Sequence, residues 1–331
     1  MMKKWFKVAA VALASTAVLG ACGKSDSNGE DNKDSKKATY TIGATQIVEH
    51  PSLDAAYKGF KDALKDKGVD VKYDFQNAQN DKSNVSTISK NFVAKKVDLI
   101  FANSTPSALG ALQATKDIPI VFTSVTDAVD SGLIKSMKEP GQNITGVLDL
   151  HPDAIKKTVE FIDKNFKGAT VGLLYNAGEQ NSVTQIEQVE KAAKSTDLKL
   201  AKRTVSTSAE VQQAAKTLAG KADVIYVVTD NTVVSALDSV VKVADEQKIP
   251  LVVGEPDSLA KGGFATFGID YHTIGYRTGE MAADILKGDK KVSDLPVEYP
   301  PEIQLYINKK AADKQGVKWN KEWDKDAKIV E

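Results

Sequence analysis

The stretch VDLIFANSTPSALGALQATKDIPIVFTS, residues Val97–Ser124, decides the fold. It begins with an apolar run, passes through the polar corner Asn103–Pro106 into a helical pattern, and ends in a second apolar run. This order of strand, loop, helix and strand is the unit of a parallel β-sheet. Both predicted strands end in hydroxyl residues at their carboxyl ends, where open α/β sheets bind ligands.

A second stretch has the same layout. Asp223–Glu255 reads DVIYVVTDNTVVSALDSVVKVADEQKIPLVVGE, with an apolar strand, the polar corner Thr229–Thr232, a helix and another apolar strand. Two copies of one unit predict two similar lobes. We expect the polar corners of the two lobes to face each other across a cleft.

The rest of the chain alternates between short apolar strands and amphipathic helices, which favours a doubly wound parallel sheet in each half. A short helix is predicted near Gly132–Met137, and the segment after Tyr306 is predicted to be a polar tail holding Trp319 and Trp323. The chain is predicted to cross between the halves three times, which would make a hinge.

The predicted lobes are therefore discontinuous in sequence. The N-terminal lobe is predicted to comprise residues 39–147 plus about 270–297. The C-terminal lobe is predicted to comprise residues 148–269 plus about 298–331. A chain of 331 residues is long enough for two lobes of ordinary size.

The first 38 residues predict export and lipid attachment. Three lysines precede an apolar run, Val8–Leu19, that is too short for a transmembrane helix, and Leu19–Cys22 then resembles the lipobox of bacterial lipoproteins. That resemblance implies a signal peptide at residues 1–21 and a lipidated Cys22. Residues 22–38 would form a flexible tether, because Gly23–Lys37 has only small, polar and charged residues. The alternative is a secretory peptide followed by an incidental cysteine.

Composition excludes several classes of protein. Lysines and arginines number 44, as do aspartates and glutamates, so the formal net charge of zero gives no case for nucleic-acid binding. Removal of residues 1–21 would take away three lysines and no acids, leaving a net charge of −3. A single cysteine excludes an intrachain disulfide framework, and the three widely spaced histidines predict no metal site and no cofactor.

Several co-linear motifs from Ala38 to about Ala311 together resemble one known family. These segments are Val97–Ile100, Asp117–Phe122, Val125–Asp127, Pro140–Val147, Leu174–Asn176 with Asn181-Ser182, Ala222–Tyr226 with Thr229–Thr232, and Gly275–Ala283. They are similar to the substrate-binding lipoproteins of ABC importers of the tryptophan/tyrosine type. The resemblance implies the type I periplasmic-binding-protein fold, with two Rossmann-like lobes joined by three crossovers.

The resemblance also implies a function. The protein would sit on the outer face of a bacterial cell membrane, held by its lipid. It would act as a monomer, and would capture a small amino acid, with an aromatic L-amino acid such as Trp, Phe or Tyr preferred. Hinge closure would trap the ligand for delivery to an ABC permease in the membrane.

Polar residues at the predicted strand tips are the candidate ligand-binding residues. A zwitterionic amino acid needs hydroxyls and backbone N–H groups for its carboxylate and an acid for its ammonium. We expect the hydroxyls in the first lobe and the acids, Asp230 and Glu255, in the second. The full candidate set is Gln46, Ser104, Thr105, Thr123, Ser124, Asn176, Glu179, Asn181, Ser182, Asp230, Asn231 and Glu255.

Each candidate also has a structural interpretation. Ser104, Thr105 and Asp230 could serve only as helix N-caps, and Glu255 could lie in a solvated turn. His50, which precedes Pro51, is read as a loop residue rather than a general base.

Three other functions stay open at this point. Catalysis is disfavoured, because the sequence has no nucleophile elbow, no glycine-rich phosphate loop and no metal-ligand spacing. A ligand-sensing module for a receptor would have the same fold. A binder of a sugar or another small polar solute remains an alternative, although the strand tips carry hydroxyls, amides and acids rather than aromatic platforms.

Overall fold

The computed structural model of the chain describes residues 39–139 and 141–330. The predicted signal peptide, Cys22 and the tether lie outside these residues. Strands and helices alternate along most of the chain, as the apolar periodicity predicts.

The N-terminal part of the chain builds a five-stranded sheet. Its elements are β1 (Thr39–Gln46), α1 (Pro51–Asp66), β2 (Asp70–Asn77), α2 (Lys82–Lys95), β3 (Leu99–Asn103), α3 (Thr105–Ala114), β4 (Ile120–Val125) and β5 (Ile144–Leu148). All neighbouring strands are parallel, in the order β2-β1-β3-β4-β5. The order reverses beside β1, and the carboxyl ends of β1 and β3 therefore border a topological switch point.

The second sheet repeats this order and extends it. The elements that follow β5 along the chain are α4 (Ala154–Asn165), β6 (Thr170–Asn176), α5 (Gln180–Ala193), β7 (Lys199–Val205), α6 (Val211–Ala219), β8 (Val224–Val227), α7 (Asn231–Ser235), α8 (Leu237–Gln247), β9 (Leu251–Val253), α9 (Asp257–Lys261), β10 (Ala265–Gly268), α10 (Tyr271–Lys287), β11 (Gln304–Asn308), α11 (Lys309–Lys314), α12 (Trp323–Asp326) and β12 (Lys328–Val330). All of them except α10 belong to the second lobe. The strand order is β7-β6-β8-β9-β10-β11-β12. Only the β10–β11 pair is antiparallel among these described strands.

Helix α10 belongs to the first lobe, although along the chain it lies between β10 and β11 of the second sheet. It packs along α1 and over β4 and β5. Phe60 of α1 and Ala282 and Ala283 of α10 share one apolar cluster with the first sheet. The chain therefore crosses between the lobes at 149–153, at 269–270 and again between α10 and β11.

Two local predictions were wrong. Residues 130–139 form turns and not a helix, because Gly132 adopts a left-handed φ of +75° that ends any helical run. The segment after Tyr306 is not a polar tail. Trp323 is only 4% exposed and packs with Phe161 and Phe264, so this segment completes the core of the second lobe.

Within the described residues no helix is long and apolar enough to span a bilayer.

Candidate functional site between the lobes

The carboxyl ends of the strands in both lobes enclose a narrow inner cavity. Its cavity volume is about 10 Å³, which is room for one water-sized group. The first lobe and the first crossover contribute His50, Leu53, Ser124, Thr126 and Asp149. The second lobe and the start of α10 contribute Asn181, Thr229, Asn231, Val234, Glu255 and Tyr271.

Three side chains of the inner cavity each keep one buried polar atom free. Asp149 Oδ1, Asn181 Oδ1 and His50 Nδ1 have no hydrogen-bond partner among the described residues. Such atoms are costly to bury and are rare in folded proteins, so each one needs an explanation. All three face the same cavity, and a ligand that donates hydrogen bonds would satisfy them together.

Asp149 is the carboxylate of this group. It follows β5 directly, and its Oδ2 accepts a hydrogen bond of 2.8 Å from the Tyr271 hydroxyl. Burial raises the pKa of Asp149 to about 6, and the bond from Tyr271 opposes that rise. A cation bound beside Oδ1 would supply the missing partner.

His50 is a neutral imidazole at neutral pH. It lies directly before α1, is 8% exposed, and burial lowers its pKa to about 4 against the opposing effect of the nearby Asn231 side chain. Asn181 is fixed in orientation, because its Nδ2 donates to the Thr229 carbonyl oxygen at 3.1 Å. Its Oδ1 is thereby left as an acceptor.

The inner cavity adjoins a larger outer pocket. The outer pocket lies between α2 and α3 of the first lobe and the loop that precedes α5 in the second, and its cavity volume is about 230 Å³. Asn181 lines both spaces. Thr105 lines the outer pocket at the first position of α3, and its buried hydroxyl has no partner among the described residues.

Four of the twelve residues predicted from the sequence line the inner cavity: Ser124, Asn181, Asn231 and Glu255. Ser124 has a left-handed φ of +57° at an irregularity between β4 and β5. Its hydroxyl donates to Asn103 Oδ1 at 2.7 Å, and Asn103 in turn donates to Gln46 Oε1 at 3.2 Å. Gln46 thus holds Asn103, and through it Ser124, in place by hydrogen bonds. Gln46 itself does not line the cavity.

Glu255 lines the cavity and also joins the two lobes. Its Oε2 accepts a hydrogen bond of 2.6 Å from Ser52 Oγ of α1, and Ser258 donates to it from within its own lobe. Burial raises the pKa of Glu255. The carboxylate is 2% exposed and therefore lies in a closed interface rather than in a solvated turn.

Asp230 and Glu179 point into their own lobe. Asp230 caps α7 through Val233 N at 2.8 Å and accepts from Asn176 N at 2.6 Å, so both of its oxygens have partners. Burial and the nearby charge of Glu179 raise the pKa of Asp230 to about 7. Glu179 lines the outer pocket, but its oxygens accept four hydrogen bonds from Asn231 and Thr232.

The side chains of the remaining candidates either form hydrogen bonds within their own lobe or have no hydrogen-bond partner among the described residues. Ser104 caps α3 by accepting from Ser107 N at 3.2 Å, and Ser182 is fully buried in α5. Asn176 donates to Thr232 at 2.9 Å. The Thr123 hydroxyl is buried without a partner among the described residues, but Thr123 lines neither space.

The sequence analysis overlooked Asp149 and Tyr271 as candidates and read His50 as a loop residue. All three lie at or beside a strand tip, so the rule that selected Ser124 also applies to them. Asp149 and Tyr271 flank crossovers, and crossovers were read as connections rather than as walls of a site. Among residues 39–139 and 141–330, no cluster of three or more His, Cys, Asp or Glu could hold a metal ion.

Comparison with known proteins gives one consistent result. Residues 41–330 match the family model described as ABC transporter substrate binding protein. A tyrosine-binding protein of Clostridioides difficile is 43% identical over 324 residues, which cover 95% of this chain and 93% of that protein.

Two solved structures extend the comparison. The ABC domain from Streptococcus pneumonia in complex with L-Trp is 36% identical, covers 89% of this chain and all of its own, and superposes with a TM-score of 0.84. A ligand-free, open substrate binding protein with adhesive properties from Clostridium difficile is 40% identical. It covers 88% of this chain and 99% of its own, yet its TM-score is only 0.65. The lobes of the present structure are therefore arranged as in the ligand-bound protein.

Proposed function

The chain belongs to the ABC transporter substrate binding protein family, and from this premise we propose that it captures an aromatic L-amino acid between its lobes for import. The tyrosine-binding relative and the L-Trp complex support this ligand class. Delivery to an ABC permease in the membrane follows from the family.

The inner cavity is the proposed ammonium site. A primary ammonium group has three N–H donors and no acceptor. The three free polar atoms, on Asp149, Asn181 and His50, can all act as acceptors when the imidazole is neutral. Asp149 adds the negative charge that a buried ammonium requires. This convergence is the single observation that carries the proposal, and it makes Asp149 the main anchor in place of Asp230.

The N-terminus of α3 is the proposed carboxylate site. The Thr105 hydroxyl has no partner among the described residues, and the Thr105 backbone N–H at the first position of this ten-residue helix has no intrahelical acceptor. Pro106 has no N–H, and the N–H of Ser107 is already bonded to Ser104 Oγ. Thr105 and Asp149 follow β3 and β5, which are separated only by β4. Two strand spacings amount to about 9.5 Å, a span that a zwitterion and its two hydrogen bonds can bridge.

Closure of the lobes completes the proposed binding cycle. Ser52 donates to Glu255, Asn80 donates to Thr232 at 2.7 Å, and Gln185 donates to Thr126 at 3.4 Å, each bond joining one lobe to the other. A ligand that contacts both lobes favours the closed state by its extra contacts there. Binding and closure are thus coupled.

The remaining parts of the proposal concern the whole protein. It acts as a monomer outside the cytoplasm, held to the membrane by lipid on Cys22, and releases its ligand chemically unchanged. Cleavage before Cys22 and acylation would appear as defined masses in intact-protein mass spectrometry. A full-length, unacylated chain in the native host would contradict the lipid anchor.

Calorimetry tests the ligand class directly. The purified protein is titrated with tyrosine, tryptophan, phenylalanine, leucine and ribose. We expect saturable binding of tyrosine or tryptophan and none of ribose. Binding of ribose without binding of any amino acid would overturn the proposal, and so would turnover of a bound amino acid.

A further inference from the structure

The outer pocket has walls unlike those of the inner cavity. Val85, Pro106 and Leu109 give it an apolar side formed by α2 and α3. Its one carboxylate, Glu179, already accepts four hydrogen bonds from Asn231 and Thr232. The side formed by α2 and α3 therefore suits an apolar group.

The outer pocket continues directly from the proposed ammonium and carboxylate sites. Asn181 lines both spaces, and Thr105 stands at the border of the apolar side. A ligand held at both points would have its side chain directed either back into the inner cavity or outward along α3. The inner cavity has a volume of only about 10 Å³, against about 230 Å³ for the outer pocket, and most of the residues that line it are polar.

We propose that the outer pocket is the side-chain subsite, in which the aromatic ring of the bound amino acid lies between Val85, Pro106 and Leu109. This inference rests on the proposed function and adds the residues that select the side chain. Apolar walls with a few polar groups at the border are typical of sites for ring-bearing ligands.

The floor of this subsite is rigid. Gly110 of α3 packs against Val85 of α2 so closely that a methyl group at position 110 would overlap the Val85 side chain. Val85 is itself only 5% exposed. The depth available to the ring is therefore fixed by the contact between α2 and α3, and a longer side chain could extend only toward the mouth.

The mouth of the subsite is bridged by Lys82. Its Nζ donates a hydrogen bond of 2.8 Å to the Gly178 carbonyl oxygen of the opposite lobe. This bond spans the two sides of the pocket, so opening the lobes breaks it. A ring seated beneath Lys82 would leave only after the lobes separate.

Methyl NMR locates the ring without any mutation. Isotope-labelled protein is titrated with tyrosine or tryptophan, and the ring current of a nearby aromatic group shifts methyl resonances. We expect large shifts for the methyl groups of Val85 and Leu109. Large shifts at Leu53 and Val234 of the inner cavity, with none at Val85 and Leu109, would overturn the proposed subsite.

A matched pair of variants on α3 tests the same point through affinity. Leu109 and Leu112 are both half-buried, but only Leu109 lines the outer pocket. We expect Leu109→Trp to weaken tryptophan binding by about tenfold or more, and Leu112→Trp to change it by less than about twofold. Equal effects of the two variants would overturn the subsite.

The two proposals fail in different ways. If the unmodified protein binds no amino acid, the proposed function itself is wrong. If the unmodified protein binds tryptophan and the Leu109→Trp variant binds it with the same affinity, the proposed function stands and the ring lies elsewhere. Melting temperatures of both variants, measured without ligand, show whether an affinity loss comes from misfolding.

Discussion

At the scale of single residues, the site depends on which polar atoms the fold leaves without partners. Asp230 and Asp149 are both buried acids near strand ends. Asp230 meets two backbone N–H groups of its own lobe, whereas Asp149 meets one hydroxyl and keeps an oxygen free. The second arrangement is the one that can bind a cation.

We expect Asp149→Asn to weaken amino acid binding by about a hundredfold, because a buried ammonium would lose the one carboxylate of the inner cavity that has an oxygen without a partner among the described residues. The ligand-free variant should be at least as stable as the original protein, since the substitution removes a buried, half-satisfied charge. Calorimetry and thermal unfolding check the two expectations.

The control is Asp153→Asn, which changes an exposed acid four residues further along. It should leave affinity unchanged. Equal affinities of Asp149→Asn and the original protein would show that the ammonium is bound elsewhere.

The raised pKa of Asp149 predicts a pH dependence of binding. Without ligand this acid is protonated below about pH 6, whereas a bound ammonium favours the charged form and lowers the pKa. Binding must then release a proton at low pH. Affinity should be constant above about pH 7 and should fall as the pH drops below 6, by up to about tenfold per unit.

Titration calorimetry from pH 4.5 to 8 measures this profile. His50, with its pKa of about 4, stays largely neutral over that range and does not add a second step. The profile of Asp149→Asn should have a much smaller slope across the same range, and the slope that remains would belong to Glu255, which lines the same cavity and whose pKa is also raised by burial. A profile that keeps its slope in that variant would assign the proton to another group.

The sequence predicts the site only in part, for a physical reason. Strand-tip position can be read from apolar runs, and among the residues it selected, Ser124, Asn181, Asn231 and Glu255 line the inner cavity. The direction of each side chain depends on donors that are distant in sequence. The bonds of Ser52 to Glu255 and of Tyr271 to Asp149 join residues more than 100 positions apart.

At the scale of elements, glycines allow the helices α1 and α10 to pack unusually close together. Methyl groups at Gly59, Gly275 and Gly279 would overlap backbone atoms of the partner helix. The two helices therefore pack backbone against backbone. The spacing of Gly275 and Gly279 places them one turn apart on the same face of α10.

We expect Gly275→Ala to destabilise the protein by about 2–3 kcal/mol or more, because its new methyl group would overlap the Ala56 carbonyl and force the helices apart. Gly220→Ala is the control. Gly220 has a φ of −77° and open space around it, so that variant should be neutral or slightly stabilised.

Unfolding in denaturant measures the free energy of unfolding of both variants. Similar stabilities of the two would mean that α10 can shift without cost. Apolar periodicity predicted the existence of α1 and α10 from the sequence. It could not predict that they touch, because their contact depends on a chain that leaves the first lobe and returns.

At the scale of the whole molecule, the two lobes are held in the closed arrangement by a few polar bonds. The structure superposes with a TM-score of 0.84 on an L-Trp complex and 0.65 on an open, ligand-free relative. The bond from Ser52 to Glu255 joins the lobes inside this closed interface. Its loss would therefore act on closure rather than on folding.

We expect Ser52→Ala to weaken ligand binding by about tenfold, mainly through faster release, because a hydrogen bond to a buried charge is lost in the closed state. Ser258→Ala is the matched control. Ser258 contacts the same carboxylate from within the second lobe, so its bond persists when the lobes open and its loss should lower stability more than affinity.

Stopped-flow measurement of ligand dissociation rates and solution scattering distinguish the Ser52→Ala variant from the Ser258→Ala variant. Scattering should show that Ser52→Ala is more open than the original protein at the same ligand concentration. An unchanged release rate would mean that Ser52 does not hold the lobes closed.

The position of α10 has a consequence for how the protein is made. Residues 39–148 emerge from the ribosome long before Tyr271–Lys287, so α1 must wait for its partner with Phe60 uncovered. The second sheet likewise lacks its edge strand until β12 at Lys328–Val330 has been made. Neither lobe can be completed until most of the chain has been synthesised, and a chain cut anywhere within residues 149–270 would contain no complete lobe.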